Sequence, residues 1–263
     1  MSTRVQDQYR QKLVSADEAA KLVNSGDVVF MGEFVQTVEA FDAALALRKN
    51  ELREVNLITT TRPKPLKCVE ADPMRESFIW NDWHFSGLGR KMAEQGLASY
   101  IPLCYHQGGH SVDLYQEPDV VVVQVTPMDA HGFFNFSTSC SMTPAYCRKA
   151  KKLVVEVNTN SPRCLGGLDD SVHISRVDMI IEGPNNPLIQ LPESKTSETD
   201  RIIAGHVMDL IEDGSTIQLG IGALPNIVGS MIAHSGLKDL GVHTEMLADS
   251  YVDMYEAGRI SGK

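Results

Sequence analysis

The most reactive spelling in this chain is Gln218-Leu-Gly-Ile-Gly-Ala-Leu-Pro-Asn226, followed by Val242-His-Thr-Glu-Met246. The first reads as a buried strand running into a Gly-x-Gly turn, with Pro225 placed in the first turn of the next helix. Glycines allow a ligand to approach the backbone closely, and free N–H groups at a helix start favour anions. Phosphate, pyrophosphate or a developing oxyanion would all suit such a turn. A tight strand-to-helix turn with no ligand has the same spelling. In an open α/β sheet, the carboxyl ends of neighbouring strands face one crevice, so Glu245 should stand beside the glycines. Two chemistries then remain open. A dinucleotide site uses an acid roughly 20 positions after its glycines to bind a ribose hydroxyl, which would make the chain an NAD-binding oxidoreductase. An acyl-transfer site uses the same carboxylate as nucleophile, with nearby amides stabilising the oxyanion. Pro225 argues against the first, because the dinucleotide fingerprint wants glycine there for close helix–strand packing.

The elements that must position these residues follow from punctuation and periodicity. Ser15-Ala-Asp-Glu18 spells a capping box opening a helix through about Asn24. Gly26 ends it, Asp27–Met31 forms a buried strand, Gly32 closes that strand, and Val38–Leu47 forms the next helix. Val55–Thr59 is a second strand, followed by a Pro-bearing turn at Arg62–Pro65. The β-branched runs Val120–Val125 and Lys152–Val157 and the shorter Met179–Ile181 suit strands buried on both faces, the habit of a mostly parallel sheet. The Pro-rich segment Gly183–Pro192 and the polar run Glu193–Asp200 mark a domain junction. Beyond it a helix (Ile202–Ile211), Gly214, a strand (Ser215–Leu219), Gly220, another helix and a strand (Val242–Glu245) repeat the order seen around Gly26 and Gly32, with the same spacing between the glycines. The expected fold class is therefore α/β, with two similar open α/β/α domains on mostly parallel sheets. Residues 1–190 form the first domain and 191–263 begin the second. A second copy holding one βαβ unit and a helix would leave a sheet edge and an apolar face uncovered, so the chain is expected to be truncated, nicked, or one subunit of a heteromer.

Composition narrows the partners. A net charge of −10 disfavours nucleic acid and anionic membrane surfaces. The five cysteines include no CxxC pair, which fits a reducing compartment rather than a disulfide framework. The first residues carry no apolar signal segment, and no stretch approaches the roughly 20 apolar residues of a membrane span. A cytoplasmic protein is expected.

The chain resembles the acetyl-CoA hydrolase/transferase family, and within it most closely the 4-hydroxybutyrate and butyrate–acetate CoA-transferases. The likeness rests on Trp83-His-Phe-Ser-Gly87, Tyr100-Ile-Pro102, Thr126–Ser137, Pro162–Gly167, His173-Ile-Ser175, Gly220–Asn226 and Leu240–Met246. It implies a CoA-transferase moving coenzyme A between a short-chain acyl-CoA and acetate. Glu245 would carry CoA as a covalent glutamyl thioester, while Gly220, Ile221, Gly222, Ala223 and Leu224 would bind CoA. It implies no metal and no cofactor beyond coenzyme A as co-substrate, and partners limited to acyl-CoA and small carboxylic acids. Members of the family are longer, so a homo-oligomer, or completion by a C-terminal part that adds further CoA contacts, is expected. An acyl-CoA hydrolase on the same scaffold is the alternative.

Other residues invite weaker readings. Asn135 and Ser137 could line a pocket, although Phe133, Phe134 and Phe136 suit core packing better. Glu33, the counterpart of the Gly220 turn, reads as a solvated loop acid. His106 and His110 lack the companion ligands that a metal would need. Trp80 and Trp83 read as core or interface aromatics.

Overall fold

The computed structural model describes residues 3–190 and 195–261 of the chain. It divides into two compact units, Met1–Ile189 and Gln190–Lys263. Of the proposed junction, Leu191, Pro192, Glu193 and Ser194 lie outside the described residues.

The first unit is built on a seven-stranded parallel sheet: β1 (Val28–Glu33), β2 (Val55–Thr60), β3 (Phe78–Asp82), β4 (Ala98–Tyr100), β5 (Val120–Val125), β7 (Lys152–Val157) and β9 (Met179–Glu182). The spatial order is β4-β3-β2-β1-β5-β7-β9, so the chain reverses direction across the sheet between β1 and β5. A short antiparallel pair, β6 (Phe133–Asn135) with β8 (Ser171–His173), stands apart from it. The helices are α1 (Thr3–Lys12), α2 (Ala16–Ala20), α3 (Glu39–Leu47), α4 (Lys67–Ala71), α5 (Gly87–Glu94), α6 (Gly108–Tyr115) and α7 (Thr143–Lys149). Two apolar clusters form the core. One contains Val29, Met31, Leu57 and Trp80 against α2 and α3; the other contains Phe30, Val121, Val155 and Tyr146 against α7. Alternation along β1 and β5 sends successive side chains to opposite clusters, which is why Val28–Met31 and Val120–Val123 are apolar at every position.

Local chemistry explains most of the boundaries. The Ser15 hydroxyl caps α2 by accepting the Glu18 amide at 3.1 Å, as the spelling requires, but the helix stops at Ala20 rather than Asn24. The polar N-terminal stretch is α1, whose partly buried Val5 and Tyr9 pack on the second cluster.

The second unit contains α8 (Glu198–Met208), β10 (Thr216–Ile217), α9 (Ala223–Ala233), β11 (Gly241–Val242) and α10 (Asp249–Glu256). A capping box at Ser197 and Asp200 opens α8. β10 and β11 are parallel, and Leu240 makes a further parallel bridge to Ile260. Both strands are shorter than their apolar runs suggest. Leu219 and Glu245 lie beyond the ladder, in the loops that leave it.

The repeat is visible bond by bond. The Gly26 amide donates to Arg53 O at 2.9 Å, and the Gly214 amide to Lys238 O at 3.0 Å. Asp27 and Ser215 each fold a side-chain oxygen back onto the amide three residues earlier, at 2.8 and 3.1 Å. Ser25 and Asp213 accept the amides of Arg53 and Lys238 at 2.9 and 2.8 Å. Gly26 and Gly214 share a positive φ, 83° and 80°, the left-handed conformation that glycine takes without a Cβ clash.

Candidate active site

The turn after β10 is shaped by one residue. Gly222 caps α9 with φ 127° and ψ −178°, a backbone conformation essentially confined to glycine. Pro225 sits at the third position of that helix, where its missing N–H costs nothing. A Cβ added to Gly220 or Gly222 would meet no atom within 4 Å, so the turn is open above its backbone. The first intrahelical bond runs from Asn226 N to Gly222 O at 3.2 Å. Among the described residues the amides of Gly220 through Leu224 donate to no protein acceptor. Ile221, in the middle of the turn, is 54% exposed.

Glu245 leaves the carboxyl end of the neighbouring parallel strand. The Thr244 hydroxyl lies 2.9 Å from Met246 O and 3.4 Å from Leu219 O, which ties the loop carrying Glu245 to the residue just before Gly220. The Tyr251 hydroxyl of α10 accepts the Leu219 amide, pinning the same point from below. α10 itself packs tightly on α9: a Cβ at Gly229 would fall 2.4 Å from Ser250 Cβ. Glu245 is exposed. In the second unit, the loop that carries the exposed Glu245 is thus tied to Leu219, the residue that precedes the Gly220–Leu224 turn.

The corresponding edge of the first unit is closed. Glu33 is only 1% exposed, which corrects its reading as a solvated loop acid. Its carboxylate accepts the amides of Ser141, Met142 and Thr143 at 2.8, 3.1 and 3.3 Å, and the Thr143 hydroxyl at 2.9 Å. It is the anionic cap of α7. Burial pushes its pKa up, and those four donors oppose the shift. A Cβ on Gly32 would lie 2.4 Å from Gln36 O, so the chain folds back over this turn.

Glu156 is a second internal carboxylate, and it escaped the sequence reading. It accepts Ala40 N at 3.0 Å and Phe41 N at 2.9 Å at the start of α3, and burial raises its pKa to about 7. Gln124 pairs with it in register on β5 and donates to Thr37 O at 2.6 Å. The signal was present in the sequence: Gln124 and Glu156 are the polar interruptions in two otherwise apolar strands. Beyond β2, Thr61 holds φ 48°, an outlier for a β-branched residue. Its amide donates to Asp82 Oδ1 at 2.9 Å, and its hydroxyl lies 2.9 Å from His84 O and 2.7 Å from His84 Nδ1.

Asn135 is structural. Its Nδ2 donates to Cys164 O and Asp170 O at 2.8 and 3.1 Å, and its Oδ1 accepts Ser137 N and Cys164 N at 2.9 and 3.0 Å. Phe134 and Phe136 are buried as expected, whereas Phe133 is 41% exposed and meets the His173 ring edge-on. Trp80 and Trp83 are both core residues. His106 lies in a short 3-10 turn and His110 in α6. Among the described residues no group of three or more His, Cys, Asp or Glu is placed to hold a metal ion, and no helix is long and apolar enough to cross a membrane.

A parallel sheet whose strand order reverses at β1 and β5, followed by a unit that repeats its strand–glycine–helix opening, makes this an open α/β protein. The chain belongs to the acetyl-CoA hydrolase/transferase family, whose N-terminal domain model matches residues 1–192. It is 46% identical over 258 residues to the butyryl-CoA:acetate CoA-transferase of Anaerostipes caccae, covering 97% of this chain and 58% of that protein. It is 32% identical over 262 residues to the 4-hydroxybutyrate coenzyme A transferase of Clostridium kluyveri, covering 97% and 58%. Among solved structures, RipA from Yersinia pestis superposes with a TM-score of 0.86 at 28% identity, covering 99% of this chain and 61% of that one. The chain therefore spans well under two thirds of the length of these relatives.

Proposed function

We propose that this chain carries the nucleophile of a CoA-transferase that exchanges coenzyme A between a short-chain acyl-CoA, butyryl- or 4-hydroxybutyryl-CoA, and acetate. The observation that carries the proposal is the exposed carboxylate of Glu245, tied through Thr244 to a glycine turn whose amides have no protein acceptor. The names of the relatives above support the substrate classes.

The chemistry balances without an external reagent. Ionised Glu245 attacks the acyl-CoA carbonyl, the C–S bond breaks, and a mixed anhydride and CoA thiolate result. The thiolate then attacks the glutamyl carbonyl, forming glutamyl-CoA and releasing the first acid as its carboxylate. A second carboxylate reverses both steps and leaves as its own thioester. Amides of the Gly220–Leu224 turn are suited to the negative charge of coenzyme A or of the tetrahedral oxyanions. Excluding water separates transfer from hydrolysis.

The test is to incubate the chain with butyryl-CoA, reduce with borohydride and map the modified peptide by mass spectrometry. Modification at Glu245, absent in Glu245→Ala together with acetate-dependent transfer, is the expected result. Glu245→Asp, which withdraws the carboxylate by one methylene, should also lose most transfer. Butyryl-CoA consumption that ignores added acetate would favour the hydrolase reading. Transfer that survives Glu245→Ala would overturn the assignment.

A further inference from the structure

A cavity of about 150 Å3 opens on the first unit between α7, β8 and the 3-10 turn Ile174–Arg176. Its floor is apolar: Phe136, Cys147 and Val172, all buried, with Pro144 at the side. Its polar lining is Arg148, Asp169, Ser171, His173 and Arg176. Arg148 and Arg176 supply its two guanidinium groups. Their states differ. Arg148 is neutralised, with Asp169 at 3.2 Å and Asp113 at 3.6 Å. Arg176 makes no ion pair and no side-chain hydrogen bond among the described residues, in a chain whose net charge is −10.

We propose that this cavity binds a short-chain monocarboxylate of four or five carbons, its hydrocarbon tail on Phe136, Cys147 and Val172 and its carboxylate on Arg176. Size, charge and polarity each limit the ligand. A cavity of about 150 Å3 accommodates the six carbons of benzene in another protein, and butyrate has the same number of non-hydrogen atoms. A phosphate or sulfate would satisfy Arg176 but leave the apolar floor wet. A neutral ligand would leave the unpaired guanidinium unused. This binding does not depend on Glu245, and it would give the protein a second way of sensing the acids it is proposed to process.

The test reads the floor directly. Cys147 in the full chain is modified with methyl methanethiosulfonate at increasing butyrate concentration, and the rate is followed at that peptide, with exposed Cys104 as the control. Butyrate is expected to slow modification of Cys147 saturably and leave Cys104 unchanged. Each methylene removed, from butyrate through propionate to acetate, should weaken protection about fourfold. Arg176→Ala should weaken it at least about tenfold, and Arg176→Lys should restore part of that loss. Glu245→Ala should leave protection intact, which separates this site from the transfer site. Arg176 is exposed and unpartnered, so tryptophan emission should confirm that its variants fold. Absence of saturable protection would overturn the proposal. So would equal protection by acetate or sulfate, or protection that persists in Arg176→Ala.

Discussion

The turns after β1 and after β10 begin from the same local plan and finish in opposite states. Both follow a glycine at positive φ, both are entered through a side-chain oxygen folded back three residues, and both lead into a helix. After β1 the backbone closes over Gly32, and the acid beside it disappears under the amino end of α7. After β10 the amides stay uncovered, the position matching Glu33 is exposed Ile221, and the acid is supplied instead by the neighbouring strand's exit loop. One scaffold therefore uses a carboxylate twice, once to hold its own helix and once where a ligand can reach it. The difference lies in whether helix dipole and amides are satisfied from within.

The widest separation should come from removing the two matching side chains. Glu33→Ala strands three amides and a hydroxyl inside the first unit and should cost about 3 kcal/mol. Ile221→Ala, on the open turn, should cost less than about 0.5 kcal/mol. Urea unfolding followed by tryptophan emission measures the first without interference, because Trp80 and Trp83 both belong to that unit. Ile221→Ala is better followed by far-ultraviolet circular dichroism. Comparable losses at the two positions would break the contrast.

A second prediction concerns the other internal carboxylate. Burial raises Glu156 from the ordinary 4.5 to about 7 in the folded state. Between those values the unfolded chain has released its proton while the folded chain still holds one, so stability falls as pH rises through that window and levels off above it. The full effect is about 3 kcal/mol. Glu156→Gln should flatten that slope, measured as urea midpoints from pH 4.5 to 7.5, and an unchanged slope would show that Glu156 is not its source.

The smallest effect should be at the glycines themselves. Gly222→Ala forces a Cβ into a conformation reserved for glycine and should destabilise the start of α9 by about 1–3 kcal/mol. Gly220→Ala has neither a positive φ nor a neighbour to strike, and should cost about 1 kcal/mol or less. Amide exchange along α9 distinguishes the two, and equal exchange rates would mean that Gly222 is not what shapes the turn.

These contrasts also show where the sequence was sufficient. The Gly-x-Gly turn and the place of Pro225 in the first turn of α9 are local, and their geometry follows from residues within one βαβ unit, whereas Glu245 falls in the loop beyond β11 rather than in the strand. The parallel sheet was legible from Val120–Val125 and Lys152–Val157 for the same reason. Glu33 was not, because its partners, Ser141 to Thr143, are remote in sequence and only folding brings them to it. α1 was missed because its polar residues conceal the apolar contact that Val5 and Tyr9 make with the second cluster. β10 and β11 end early because Leu219 bonds a side chain of α10 and Thr244 turns back on Met246, choices that apolar runs do not encode.

The near contact of Gly229 with Ser250 has a further consequence. The residues from Thr244 to Ser250 form a short leash fastened at both ends, and its slack is fixed by how deeply α10 nests against α9. A methyl group at position 229 would lift that helix and drag the leash with it. The reach of an acidic side chain is thus set by a buried residue with no functional group at all.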